Sequence, residues 1–202
     1  CSSDLLNDAK GYNATVAGGG ANMANGNYAT VGGGTGNGAA STYATISGGW
    51  NNNVAAGYAT VAGGGNNRVE EPYASGAAIS GGIGNRINGS PYSAIVGGSS
   101  NAITMTSAYS AIGGGDGNRV HGNSHYGSIG GGGTNTIIQA EGATVGGGVS
   151  NSITGLSFAN YATIGGGKGN TVTNNYGTVA GGCGNLAGGM GAFVGGGGYE
   201  WK

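Results

Sequence analysis

Residues 28–39 read Tyr28-Ala29-Thr30-Val31-Gly32-Gly33-Gly34-Thr35-Gly36-Asn37-Gly38-Ala39, and the same order returns at 43–54 as Tyr43-Ala44-Thr45-Ile46-Ser47-Gly48-Gly49-Trp50-Asn51-Asn52-Asn53-Val54. An internal repeat of this kind decides the class of fold before any single residue is weighed. Taking the β-branched residue before each glycine cluster as an anchor gives Val16, Val31, Ile46, Val61, Ile79, Ile95, Ile112, Ile129, Val145, Ile164, Val179 and Val194. These are twelve repeats, and the spacing from anchor to anchor runs from 15 to 19.

Counted from the anchor, positions +2 and +3 are Gly in all twelve repeats, from Gly18 and Gly19 to Gly196 and Gly197. Position +6 is Asn22, Asn37, Asn52, Asn67, Asn85, Asn101, Asn118, Asn135, Asn151, Asn170 and Asn185. Position +8 is apolar in the same repeats, from Ala24 to Ala187. Before the anchor, small or polar residues alternate with β-branched and aromatic ones, which reads as a strand. The anchor and the small residue two before it face inward, and the Tyr and Thr columns face out. A second short strand carries the Asn and the apolar side chain of position +8 on its inner face. The expected fold is therefore all-β: a parallel β-solenoid or β-roll of about twelve rungs, each 15 to 19 long by the anchor spacing, with two short strands per rung.

Rungs stacked about 4.8 Å apart pair through parallel backbone bonds, so each needs only neighbours above and below. Two inward residues per rung fill a thin core, glycine allows positive φ or close backbone approach, and the Asn column reads as an inward ladder bonded between rungs and to the turn backbone. Insertions fall at 70–75, 88–91, 104–108, 121–125, 138–141 and 154–160, all between the second strand and the next first strand. One edge is thus variable.

Composition agrees with this order. Of 202 residues 53 are Gly, 2 are Pro and 13 carry a formal charge, 6 Lys or Arg and 7 Asp or Glu. Glycine without a three-residue period excludes collagen, a net charge of −1 departs from the usual signature of disorder, and no apolar run is long enough to span a bilayer. A pI near 6.1 argues against nucleic acid as the main partner, although Arg68, Arg86 and Arg119 share position +7.

The unit Ala-Thr-Val-Gly-Gly-Gly-x-x-Asn-x-Ala of residues 29–39 resembles the head repeats of YadA-type trimeric autotransporter adhesins. The resemblance covers roughly residues 11–198, with a longer glycine turn and with Asn where that family has Ser or Ala. It implies a left-handed parallel β-roll on a bacterial surface. A coiled-coil stalk and a membrane barrel have no counterpart in this sequence.

Residues 1–10 continue the register backwards, with Asn7 at +6 and Ala9 at +8, and are expected to form a half-rung or cap. Residues 11–198 form the repeats, and 199–202 a cap or joint. A first residue that is Cys rather than Met points to removal of an upstream segment, hence to an extracellular or cell-surface protein. Complementary half-rungs suggest head-to-tail stacking of copies, a contact that propagates into a filament. Cys1 and Cys183 lie about 50 Å apart along such a solenoid, far beyond the span of about 7 Å that a disulfide allows. Between stacked copies they are candidates for an intersubunit disulfide, while a free Cys183 and a lipidated Cys1 stand as alternatives.

The sequence offers no catalytic, cofactor or metal site. The glycine clusters lack the Gly-x-x-x-x-Gly-Lys-Ser/Thr pattern of a phosphate loop. His121 and His125 lie in an insertion with only Asp116 nearby, and Glu70 and Glu71 read as a solvated loop. A carbohydrate-active β-helix enzyme would need clustered carboxylates. The candidate functional surface is the exposed ladder of Tyr28, Tyr43, Tyr58, Tyr92, Tyr109, Tyr126, Tyr161 and Tyr176 with Thr15, Thr30, Thr45 and Thr60. We expect a structural, non-enzymatic subunit of an extracellular fibre or surface filament, a homo-oligomer or homopolymer serving adhesion or matrix formation. Surface glycans are possible partners; nucleic acid and a membrane span are not expected. The alternative is a monomeric or trimeric ligand- or ice-binding solenoid displaying the Tyr/Thr face.

Overall fold

In a computed structural model, which describes residues 6–71, 73–155 and 159–198, the chain is all-β, with no helix among the described residues. Strands alternate between two parallel sheets of 12. The odd-numbered sheet begins with β1 (Asp8–Ala9) and β3 (Met23–Ala24) and ends with β23 (Leu186–Ala187). The even-numbered sheet begins with β2 (Thr15–Val16) and β4 (Thr30–Val31) and ends with β24 (Phe193–Val194). Each strand pairs with the strand two along the chain, Thr30 with Thr45 and Val31 with Ile46 for example, so the chain winds as a β-solenoid with two short strands per rung. A third, one-residue ladder runs through position +4, from Gly20 and Thr35 through Lys168 to Cys183.

The core is one side chain deep on each sheet. The anchors from Val31 to Val179 and the apolar side chains of the second strands, from Ala24 to Ala187, are buried against one another. Among the described residues no aromatic enters this core, whose inward side chains are Ile, Val and Ala. The six rungs that carry insertions also have second strands one residue longer. β9 (Arg68–Glu70), β11 (Arg86–Asn88), β13 (Ala102–Thr104), β15 (Arg119–His121), β17 (Thr136–Ile138) and β19 (Ser152–Thr154) replace the two-residue strands found elsewhere. The insertion relieves the tight corner, so the residue at +9 joins the sheet and turns its side chain outward.

The Asn column is buried and fully bonded. Asn37 donates through Nδ2 to the carbonyls of Gly33 in its own rung and Gly49 in the next, both at 2.9 Å. Its Oδ1 accepts the backbone N–H of Asn52 at 3.0 Å. The arrangement repeats from Asn22 to Asn170, half-buried Asn185 keeps the two donations to glycine carbonyls, and among the described residues no buried side-chain nitrogen or oxygen lacks a partner. Each asparagine therefore ties two successive glycine turns together through groups that strand pairing leaves open.

Corners are made by two columns in the left-handed region. Position +5, from Ala21 to Gly184, and position −3, from Asn13 to Gly191, have positive φ throughout. This reverses the direction of the backbone donor. Thr30 donates to Ala44 of the following rung at 2.9 Å, whereas Tyr28 donates to Tyr12 of the preceding one at 2.7 Å.

The two invariant glycines play different roles. At +3, Gly49 has φ of 89°, and a Cβ there would lie 2.1 Å from the carbonyl oxygen of Gly64. At +2, a Cβ on Gly48 would meet nothing within 4 Å, and its φ is not positive. Rung stacking therefore demands glycine at +3, whereas +2 has room for a methyl, with a positive φ only at Gly33, Gly114 and Gly196. Gly49→Ala is expected to destabilise the protein by about 2 kcal/mol or more, and Gly48→Ala by no more than about 0.5 kcal/mol, as read by chemical denaturation.

Candidate functional site

The tyrosines of the exposed ladder occupy position −3, which is a turn and not a strand. The strand that follows begins at the Thr, two residues later. The alternation of Tyr-Ala-Thr-Val therefore outruns the strand itself, because the chain has to turn its N–H toward the preceding rung. All eight ladder tyrosines have φ between 52° and 58°, a conformation costing a side-chain-bearing residue about 1–2 kcal/mol.

Stacking offsets that cost. Tyr28, Tyr43 and Tyr58 are stacked with centroids 4.9 Å apart, with Tyr12 edge-on at the end of the row. Tyr92, Tyr109 and Tyr126 form a second stack at 5.4 and 5.3 Å, and Tyr161 and Tyr176 a third at 5.8 Å. The stacks are separated where position −3 is Gly76 or Gly142. Each gap is partly roofed by the next ring, since a Cβ on Gly76 would lie 2.9 Å from the ring of Tyr92.

The threonine column lies on the outer face of the even-numbered sheet. Thr15 and Thr30 are exposed, and Thr45 and Thr60 half-buried. Beside it, position +1 carries small exposed residues such as Gly32, Ser47 and Ala62. The Asn ladder, by contrast, is interior and presents nothing to a ligand.

The charged groups gather on the other sheet. Strand register places Arg68, Arg86, Ala102 and Arg119 on successive rungs, with Glu70, Asn88, Thr104 and His121 beside them. Arg86 holds Glu70 through Nη2 at 2.6 Å and through a hydrogen bond from Nε at 2.7 Å, and Asn88 donates to the same carboxylate at 2.9 Å. Burial raises the Glu70 carboxyl, but the hydrogen bonds from Asn88 and Arg86 and the charges of Arg86 and Arg68 outweigh it and hold it below the usual carboxylate value. Burial, with the charge of Arg119 added, holds His121 below the ordinary imidazole value, so its neutral form is favoured.

Glu70 is therefore paired on the sheet and not a solvated loop residue as the sequence suggested. Its place in the three-residue strand β9 accounts for the difference. Among the described residues no three of His, Cys, Asp and Glu come together as a metal site would need, and no helix is long and apolar enough to cross a membrane. Cys183 is an exposed free thiol on the +4 ladder. Cys1, like residues 199–202, lies outside the described residues.

A second polar ladder escaped the sequence reading. In the rungs with insertions, Ser90, Ser93, Ser107, Ser110 and Ser124 are buried. The backbone N–H groups of Ser107 and Ser124 donate to the hydroxyls of Ser90 and Ser107, and that of Ala140 to Ser124. The recurrence of Ser at matching offsets before Ile95, Ile112 and Ile129 was the available signal.

No protein-family model and no curated protein matches this chain.

The tyrosine stack can be separated from its backbone cost. Tyr109→Ala loses two ring contacts of about 0.5–1.5 kcal/mol each and keeps the unfavourable φ. Tyr109→Gly loses the same contacts and regains conformational ease at positive φ. Thermal denaturation is expected to rank wild type first, the glycine variant second and the alanine variant last.

Proposed function

We propose that this chain is a structural subunit of an extracellular fibre or surface filament, assembled head to tail and serving adhesion or matrix formation rather than catalysis. The observation that carries this reading is the continuity of the ladders. Three columns of backbone pairing and one of asparagine run unbroken along the axis, and the resemblance of the repeat unit to adhesin heads points the same way. Among the described residues β1 and β2 have a rung on one side only, as do β23 and β24. Those edges have the spacing of every other rung, so a further rung adds to them by the same bonds.

In this reading Cys183 is placed to lock a joint by a disulfide to Cys1 of a neighbouring copy. A surface with few charges suits end-to-end and lateral association.

A second reading rests on the Thr column, whose hydroxyls repeat at the rung spacing from Thr15 to Thr60 and from Thr144 to Thr178, with Ala78, Ala94 and Ala111 between them and small residues beside them. It would make the protein a ligand- or ice-binding solenoid. Electron microscopy of the purified protein separates the two. Filaments whose axial repeat is near 60 Å, about twelve rungs of 4.8 Å, are expected. Discrete particles that depress the freezing point of water would replace the fibre reading by the second.

A further inference from the structure

The outer face of the odd-numbered sheet carries a groove of about 390 Å3 at the rungs of β11, β13 and β15. Its floor is Ala102 and its two walls are Arg86 and Arg119, with Ser100, Thr104 and His121 among the other lining residues. The register makes this shape unavoidable. Arg86 pairs with Ala102 and Ala102 with Arg119, so two long cationic side chains stand two rungs, roughly 10 Å, apart over a methyl group.

We propose that this groove binds one carboxylate or sulfate group of an acidic glycan, seated over Ala102 between the guanidinium groups of Arg86 and Arg119.

Charge sets the class of ligand. Arg119 forms no ion pair among the described residues, and the nearest acidic side chain on this face, Glu70, is held by Arg86 from the far side. A guanidinium that is unpaired beside a dip of this width binds an oxyanion in the geometry it prefers. His121, favoured in its neutral form, adds a hydrogen-bonding group without a competing negative charge.

The surroundings select a sugar polymer over other polyanions. Beside the groove stand Asn88, Thr104, Thr136 and Ser152, whose amide and hydroxyl groups match sugar hydroxyls, with Ile138 an apolar neighbour of His121. Among the described residues, positions +7 and +9 hold no Phe, Tyr or Trp on which nucleobases would stack. The groove has no deep apolar pocket to anchor a peptide side chain. The site deepens the surface-adhesion reading by naming the surface chemistry. It rests on that reading for its setting and not on filament formation.

Calorimetric titration of the intact protein at low salt tests it, with heparin oligosaccharides as the sulfated probe, oligogalacturonate as the carboxylated one, dextran as the neutral one and single-stranded DNA as the rival polyanion. At least one acidic glycan is expected to bind and dextran not. Arg119→Ala is expected to weaken binding about tenfold or more, while Lys168→Ala, which removes the same charge from the +4 ladder, leaves it within about twofold. Glu70→Gln, which keeps an acceptor for Asn88 and releases Arg86, is expected to tighten binding. The proposal is overturned if neither acidic glycan binds, if DNA binds as tightly as the better glycan, or if the Arg119 and Lys168 variants lose affinity equally. Circular dichroism checks that each variant keeps its strands, and microscopy of the same samples reads filament assembly independently.

Discussion

The spacing between rungs is the constraint on which everything else in this molecule depends. Backbones that repeat about every 4.8 Å leave no room for a side chain inside the turn, and the glycines at +3 meet the next turn's carbonyl at a distance no Cβ could share. The buried asparagine beside them turns that crowding into cohesion. One side-chain amide satisfies two glycine carbonyls and accepts one N–H, so each turn is tied to both of its neighbours. A chain with a core of only small and β-branched residues holds together because these polar bonds recur at every rung, in a region from which water is excluded.

The same constraint shapes the surface. Because donors at the corners must point back to the preceding rung, residues there take positive φ, and the tyrosines that occupy one corner stand in rows outside the sheet. Where insertions lengthen this same connection ahead of the tyrosine corner, the second strand gains one residue and a new outward column appears. That column brings Glu70, Asn88, Thr104 and His121 alongside the arginines of position +7. The variable edge is thus where a uniform rod acquires chemistry of its own. Interior and turns are committed to stacking, and specificity is left to the outer faces.

Much of this was legible in the residues. The anchors, the apolar column at +8 and the paired glycines recur so regularly that a two-strand parallel solenoid follows from them, and the parity of Asn with the core side chains placed it inward. The turn conformation of the tyrosines was not, since Tyr before Ala-Thr-Val continues an ordinary strand alternation. Its signal lay elsewhere in the same column, where Asn13, Gly76, Gly142 and Gly191 are residues that accept positive φ. The division of labour between the two glycines was invisible too, because a sequence does not distinguish a glycine needed for its φ from one with open space around it. The arginine column could be seen, but not its partners. Whether position +9 belongs to a strand depends on how the insertion relaxes the corner, which is a matter of packing.

The asparagine clamp is the central claim, and chemical denaturation of Asn118→Ala tests it most directly. Asn118 bonds to the carbonyls of Gly114 and Gly132 at 2.8 and 2.9 Å and accepts the N–H of Asn135 at 2.9 Å. Loss of these bonds, and of the 3.1 Å bond that the same Oδ1 accepts from Asn135 Nδ2, in a buried site is expected to cost about 3 kcal/mol or more. A loss of less than about 1 kcal/mol would contradict the account and show that the backbone ladders alone hold the rungs together.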